Sequence, residues 1–214
     1  MALAVFSMFA LASSASAASY IELGDAGDLP ISAQVTAGAG SLDLIKGSIG
    51  VSGDADMYRI FITGGGTFSA TTVGTAGSID DTQLFLFTSA GLGVYGNDDA
   101  NSVDIRSLLP AGNALTPLMA GLYYLAISAF DKDPVSAGGL IFPSIPFNAL
   151  FGPTEVGGGS GIIGYAPSFT DTGSYTIKLT GALVSASVPE PSALFLLGSG
   201  LMGLGFWGMR KGQV

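Results

Sequence analysis

Between residues 18 and 188 no stretch of the chain sustains a helical period; where hydrophobic side chains recur, they recur at every second residue. The run from Ser174 to Thr180 shows it most clearly, with Tyr175, Ile177 and Leu179 on one face and Thr176, Lys178 and Thr180 on the other. Tyr123, Leu125 and Ile127 share a face in the run that starts at Gly121. Phe68, Ala70 and Thr72 do the same just after the turn Gly64-Gly65-Gly66. Leu42 to Ile49 and Asp56 to Ile62 read as two further strands, and Gln83-Leu84-Phe85-Leu86-Phe87 is apolar on both faces, as a central strand is. With 33 glycines and 10 prolines in 214 residues, turn chemistry is available between all of them. The pattern predicts an all-β fold, an antiparallel, jelly-roll-like β-sandwich of about eight strands over residues 18–187.

The chain has no histidine and no cysteine. That removes His-dependent triads, Cys nucleophiles, disulfides and ordinary zinc sites, each of which needs an imidazole or a thiolate. Seven basic side chains face sixteen acidic ones, a net charge of −9, so nucleic acid is not an expected partner. No carboxylate pair falls in a recognisable motif and no Ser-x-x-Lys occurs, so the protein is expected not to be an enzyme.

Both ends differ from the body. Residues 1–17 form an apolar run closed by Ala15-Ser16-Ala17, a small-x-small pattern that reads as a signal peptide cut after Ala17 and delivered to the Sec machinery. It lacks the basic residues that ordinarily precede such a run. At the other end Val188-Pro189-Glu190-Pro191-Ser192 leads into an uncharged stretch, 192–209, followed by Arg210-Lys211. Those 18 residues are just long enough, as a helix, to cross a thin bilayer, and the basic pair would stay cytoplasmic. A Pro-Glu-Pro, an apolar helix and a terminal basic pair in this order closely resemble the PEP-CTERM sorting signal of Gram-negative bacteria. The resemblance implies exosortase as a processing partner, transient insertion in the inner membrane, and a final address at the cell surface or outside the cell.

A second resemblance covers the body, from about Ile21 to Ala182. In order come an acidic segment, G-D-A-D-M-Y-R-I, D-T-Q-L-F-L-F, G-L-G-V-Y-G-N-D-D, G-L-Y-Y-L-A-I-S and G-S-Y-T-I-K-L-T-G-A. This series is similar to the bacterial pre-peptidase C-terminal domain, a β-sandwich related to collagen-binding modules. The chain departs from it in a long segment, 131–172, and no attached catalytic domain is expected.

Acidic residues cluster at predicted turns. Asp-x-Asp, as in Asp54-Ala55-Asp56, offers two carboxylates on one side of an extended chain, and hard cations such as Ca²⁺ take six to eight oxygens from flexible loops. The second resemblance implies Ca²⁺ ligands at Asp54 and Asp56 and, from the N-terminal segment, at Glu22, Asp25 and Asp28. The competing reading makes these acids turn caps and soluble surface. Asn97, Asp98, Asp99, Asn101 and Asp104 lack the glycine and glutamate of an EF-hand loop, so they read first as a turn. In the 131–172 segment the aromatic residues either fold back over an open end of the sandwich or, with Phe147, Phe151 and Tyr165, form a lip for sugar rings or an apolar partner. The expected function is a non-enzymatic surface or extracellular-matrix protein, structural or adhesive in an exopolysaccharide or biofilm setting. The alternatives are a carbohydrate- or protein-binding module and a self-assembling, fibre-forming β protein.

Overall fold

The computed structural model describes residues 18–168 and 171–187. The signal segment and the sorting tail, with Ala15, Ala17, Pro189, Glu190, Pro191, Arg210 and Lys211 and the helix expected in each, lie outside the described residues. Among the described residues every regular element is a strand.

Two sheets form the body. In the first the strands run in the order Ala18–Ile21, Leu42–Ile49, Gly173–Thr180, Ser69–Thr71, Leu108–Leu109. In the second the order is Leu150–Phe151, Gly93–Asn97, Thr82–Thr88, Gly121–Ala129, Ala55–Ile62, Ala182–Val184, and Gln34–Val35 also pairs with Ala55–Ile62. The chain passes repeatedly from one sheet to the other, for instance from Leu42–Ile49 to Ala55–Ile62 and on to Ser69–Thr71. That last crossing uses the glycine triplet: Gly64, Gly65 and Gly66 all have φ between +67° and +80°. A side chain on Gly64 would also stand 2.7 Å from the Ala120 amide nitrogen, so both the backbone region and the space require glycine there.

The expectation of purely antiparallel pairing is corrected. Ala18–Ile21 lies parallel to Leu42–Ile49, Gln34–Val35 parallel to Ala55–Ile62, and Ala186–Ser187 parallel to Ala37–Gly38. These are short additions made by the N-terminal 38 residues, whose connections are long enough to return the chain in the same direction. The strand count also exceeds eight, because pairings of two to five residues carry too few alternations to stand out in the sequence.

One cluster of buried side chains takes residues from both sheets: Leu42, Ile177 and Leu179 from the first, and Tyr58, Ile60, Leu84, Leu125 and Ile127 from the second. A second cluster lies on the other side of the second sheet. There Met57, Phe85, Phe87 and Ala126 pack against Ile141, Phe142, Phe151 and Ile162. Phe142 stacks on Phe85 (centroids 5.4 Å apart) and meets Phe87 edge-on (5.8 Å). The segment 131–172 is therefore no structureless loop. It forms a small sheet from Pro134–Ser136, Gly139–Leu140 and Ile162–Tyr165, adds Leu150–Phe151 to the edge of the second sheet, and covers that sheet's outer face. This cover is why the Thr82–Thr88 strand is apolar on both faces.

Candidate functional site

Alternation along Ala55–Ile62 sends Asp56, Tyr58, Ile60 and Ile62 to the inter-sheet side. Asp56 thus occupies a position where an isoleucine would serve, and it is fully buried. The Tyr175 hydroxyl, reaching across from the first sheet, donates to Asp56 Oδ2 (2.6 Å) and shares a hydrogen bond with the Tyr58 hydroxyl (2.5 Å). Gly47 stands opposite Tyr175 in the register of the first sheet. A Cβ there would collide with Tyr175 Oη and come within 2.7 Å of Glu22 Oε2, so the missing side chain is what admits both groups.

Three acids meet at this point. Carboxylate oxygens of Glu22, Asp25 and Asp56 lie within 4.8 Å of one another. Oxygens bound to one Ca²⁺ at about 2.3–2.6 Å are at most about 5 Å apart, so the spread fits a single ion. Glu22 is held by the backbone, accepting from the Ala26 and Ser48 amides (3.1 and 2.7 Å). Asp25 is exposed and, with Asp54, lines an open hollow of about 250 Å³. Among the described residues no donor reaches Asp56 Oδ1. Burial, reinforced by the charges of Glu22, Asp54 and Asp25 and opposed by the Tyr175 hydrogen bond, pushes the Asp56 carboxyl up to about 8. Burial also raises Glu22 and Asp54. A bound cation would relieve all three shifts by supplying the missing positive charge.

Of the five acids read from the sequence, the structure gathers Glu22, Asp25 and Asp56 but not the other two. Asp54 accepts from the Gly50 and Ala55 amides (3.3 and 2.9 Å), which is what a turn-capping aspartate does. Asp28 is half-buried beside the group, its charge felt by Asp54 and by Tyr165.

A second gathering is not evident in the sequence. Asp81, Asp98 and Asp99 bring carboxylate oxygens within 4.8 Å of one another at one end of the Thr82–Thr88/Gly93–Asn97 hairpin. Burial foremost, then Asp99, Asp81, Asp133 and Asp131, pushes Asp98 up to about 8, while Asp81 rises to about 6 through burial, Asp99 and Asp171. The signal that would have found it is the hairpin itself. Leu84 opposite Asn97 places the residues before one strand beside those after the other.

The three aromatic residues of the 131–172 segment part company. Phe151 is buried in the second cluster, and Tyr165 packs against that cluster with its hydroxyl turned into the protein. Phe147 stays 42% exposed and meets Phe130, itself 38% exposed, edge-on at 5.3 Å.

At the C-terminal end, one comparison identifies a sorting signal. Residues 187–211 match the PEP-CTERM protein-sorting motif. The PEP-CTERM motif marks an exported protein that exosortase sorts by its C-terminal tail. Pro189, Glu190, Pro191, Arg210 and Lys211 all fall inside the matched residues. No curated protein and no solved structure matches the chain.

Proposed function

We propose that the mature protein is a non-enzymatic structural or adhesive component of the cell surface or of an extracellular polysaccharide matrix. Its two sheets read as a jelly-roll-like sandwich of the pre-peptidase C-terminal kind. The observation that carries the proposal is the sorting motif joined to an all-β body rich in buried apolar contacts. In this reading Ca²⁺ held by Glu22, Asp25 and Asp56 fastens the N-terminal strand Ala18–Ile21 and the turn after it to the sheets. A fully buried carboxylate with an unsatisfied oxygen supports that role.

Two experiments test it. Cells expressing the full chain are fractionated, and the processed form should be found with the cells' exopolysaccharide; processed protein that washes free of both cells and polymer refutes the matrix role. Separately, thermal unfolding is followed with calcium and with EDTA. A ligand at 100 times its dissociation constant adds about 2.7 kcal/mol, which for a chain of this size is roughly 5–11 °C in Tm. Asp56→Asn should remove the part of the gain that this site supplies. A second reading, binding of a sugar or protein partner, is favoured by the exposed Phe130–Phe147 pair. It predicts that Phe147→Ala releases the protein from the polymer without changing its Tm.

A further inference from the structure

The corner that holds Asp81, Asp98 and Asp99 is built almost entirely from backbone and amide hydrogen bonds. Asn97 Nδ2 donates to the carbonyls of Asp99 and Ala149 (2.8 and 2.9 Å), and its Oδ1 accepts from the Leu108 amide (2.7 Å). The Asp99 amide donates to the Phe147 carbonyl (3.0 Å), and the Phe130 amide to the Asp81 carbonyl (3.3 Å). Main chain from the hairpin and from the covering segment is thereby fixed around one point.

The side chain at that point is left over. Asp98 is only 3% exposed, and among the described residues neither of its oxygens has a hydrogen-bond partner. Asp81 Oδ1 is buried and unpartnered as well. The one basic side chain at this corner that forms an ion pair, Arg106, is taken by Asp80 (2.6 Å). Two further acids, Asp131 and Asp133, add to the negative potential at Asp98. Asp133 itself is already committed, accepting from Gln83 Nε2 and from the Ser144 hydroxyl. A buried carboxyl that accepts no hydrogen bond among the described residues, set beside two others, stays neutral by holding a proton or ionises where a cation from outside the chain joins it.

We propose that Asp81, Asp98 and Asp99 bind a Ca²⁺ ion, at a site separate from that of Glu22, Asp25 and Asp56. All donors are hard oxygens, and their spread fits one ion at ordinary Ca²⁺–oxygen distances. Calcium rather than magnesium suits a corner whose ligands come from two loops. It accepts irregular geometry and a higher ligand number, whereas Mg²⁺ demands a near-ideal octahedron. Bound there, the ion joins the two ends of the hairpin, to which Phe130 and Phe147 are linked by backbone hydrogen bonds.

The test is calorimetric titration of the full chain, held in detergent and stripped with EDTA, with CaCl₂ and in parallel with MgCl₂. Asp56→Asn removes the other site from view. In that background calcium should still bind, and Asp98→Asn or Asp99→Asn should abolish the remaining heat. Asp99 is half-buried rather than buried, so its variant keeps the test intact if Asp98→Asn fails to fold, which circular dichroism checks. Calcium binding in the Asp56→Asn chain that survives both changes overturns the proposal, as does no calcium binding in a folded Asp56→Asn chain. Tighter binding of magnesium than of calcium overturns the choice of ion. Loss of the Asp56-dependent step alone leaves this site standing and removes only the other.

Discussion

Tyr175→Phe removes one oxygen and should act on both sheets at once. In the native protein that hydroxyl is the donor to Asp56 Oδ2 and the partner of the Tyr58 hydroxyl, with all three side chains buried. The phenyl ring remains, so packing is nearly unchanged and the loss is one of pairing. Two buried polar groups left unpaired cost about 1–3 kcal/mol each; a rotating Tyr58 hydroxyl recovers part, leaving about 2–4 kcal/mol. For a chain of this size that corresponds to a fall in Tm of roughly 4–16 °C. Thermal unfolding followed by circular dichroism reads it directly. The control is Tyr123→Phe, whose hydroxyl donates to the Met119 carbonyl (3.2 Å) at the surface and whose loss should cost less than about 0.5 kcal/mol. The deficit of Tyr175→Phe should also be larger at pH 9 than at pH 6, because above about pH 8 Asp56 is ionised and the hydroxyl donates to a charge. Equal losses in the two variants, or a deficit that shrinks with rising pH, would show that the hydroxyl does not join the sheets as described.

Two further outcomes follow from the same contacts. Asp56 has a folded-state pKa near 8 against an ordinary 3.8, so in EDTA the native state keeps a proton the unfolded chain has released. Its contribution is full below about pH 4 and declines toward pH 8, by at most about 1.4 kcal/mol per pH unit, and urea titrations at pH 5, 6.5 and 8 should show it. Stability in EDTA that rises over that range would contradict the buried placement. Phe142→Ala, which empties the space between Phe85 and Phe87, should cost about 3–5 kcal/mol and open the 131–172 cover to limited proteolysis; cleavage no faster than in the parent chain would mean the cover is held elsewhere.

The long strands were legible because alternation over seven or eight residues is hard to produce otherwise. The alternation predicts Leu42–Ile49 at its observed bounds, and Ala55–Ile62, Thr82–Thr88, Gly121–Ala129 and Gly173–Thr180 within one residue at each end. The cover was not legible. The apolar pattern of Gln83 to Phe87 was explained as a central strand buried between two layers, and nothing local says that the outer layer is Phe142, Phe151 and Ile162. Parallel edge pairing is not legible for a related reason: Ala18–Ile21 gains its meaning only from Leu42–Ile49, more than twenty residues away. The acids divided along the same line. Asp54 and Asp56 look alike in sequence, yet one caps a turn and the other faces the inter-sheet core, and the difference is set by where the strand begins. Asp98 needed a pairing register, which its own neighbours do not reveal.

Ser187 belongs to two things at once. Among the described residues it is the last paired one, lying beside Gly38, and it is the first residue of the matched sorting motif. The matched motif thus begins on a residue that is itself paired. The seam is a weak one. Ala186–Ser187 pairs over two residues only, and a ladder that short frays at little expense in free energy. The next strand inward, Ala182–Val184, keeps its own pairing with Ala55–Ile62 whether or not the seam opens. Fraying of that two-residue ladder would free the first residue of the matched motif and leave the Ala182–Val184 pairing in place.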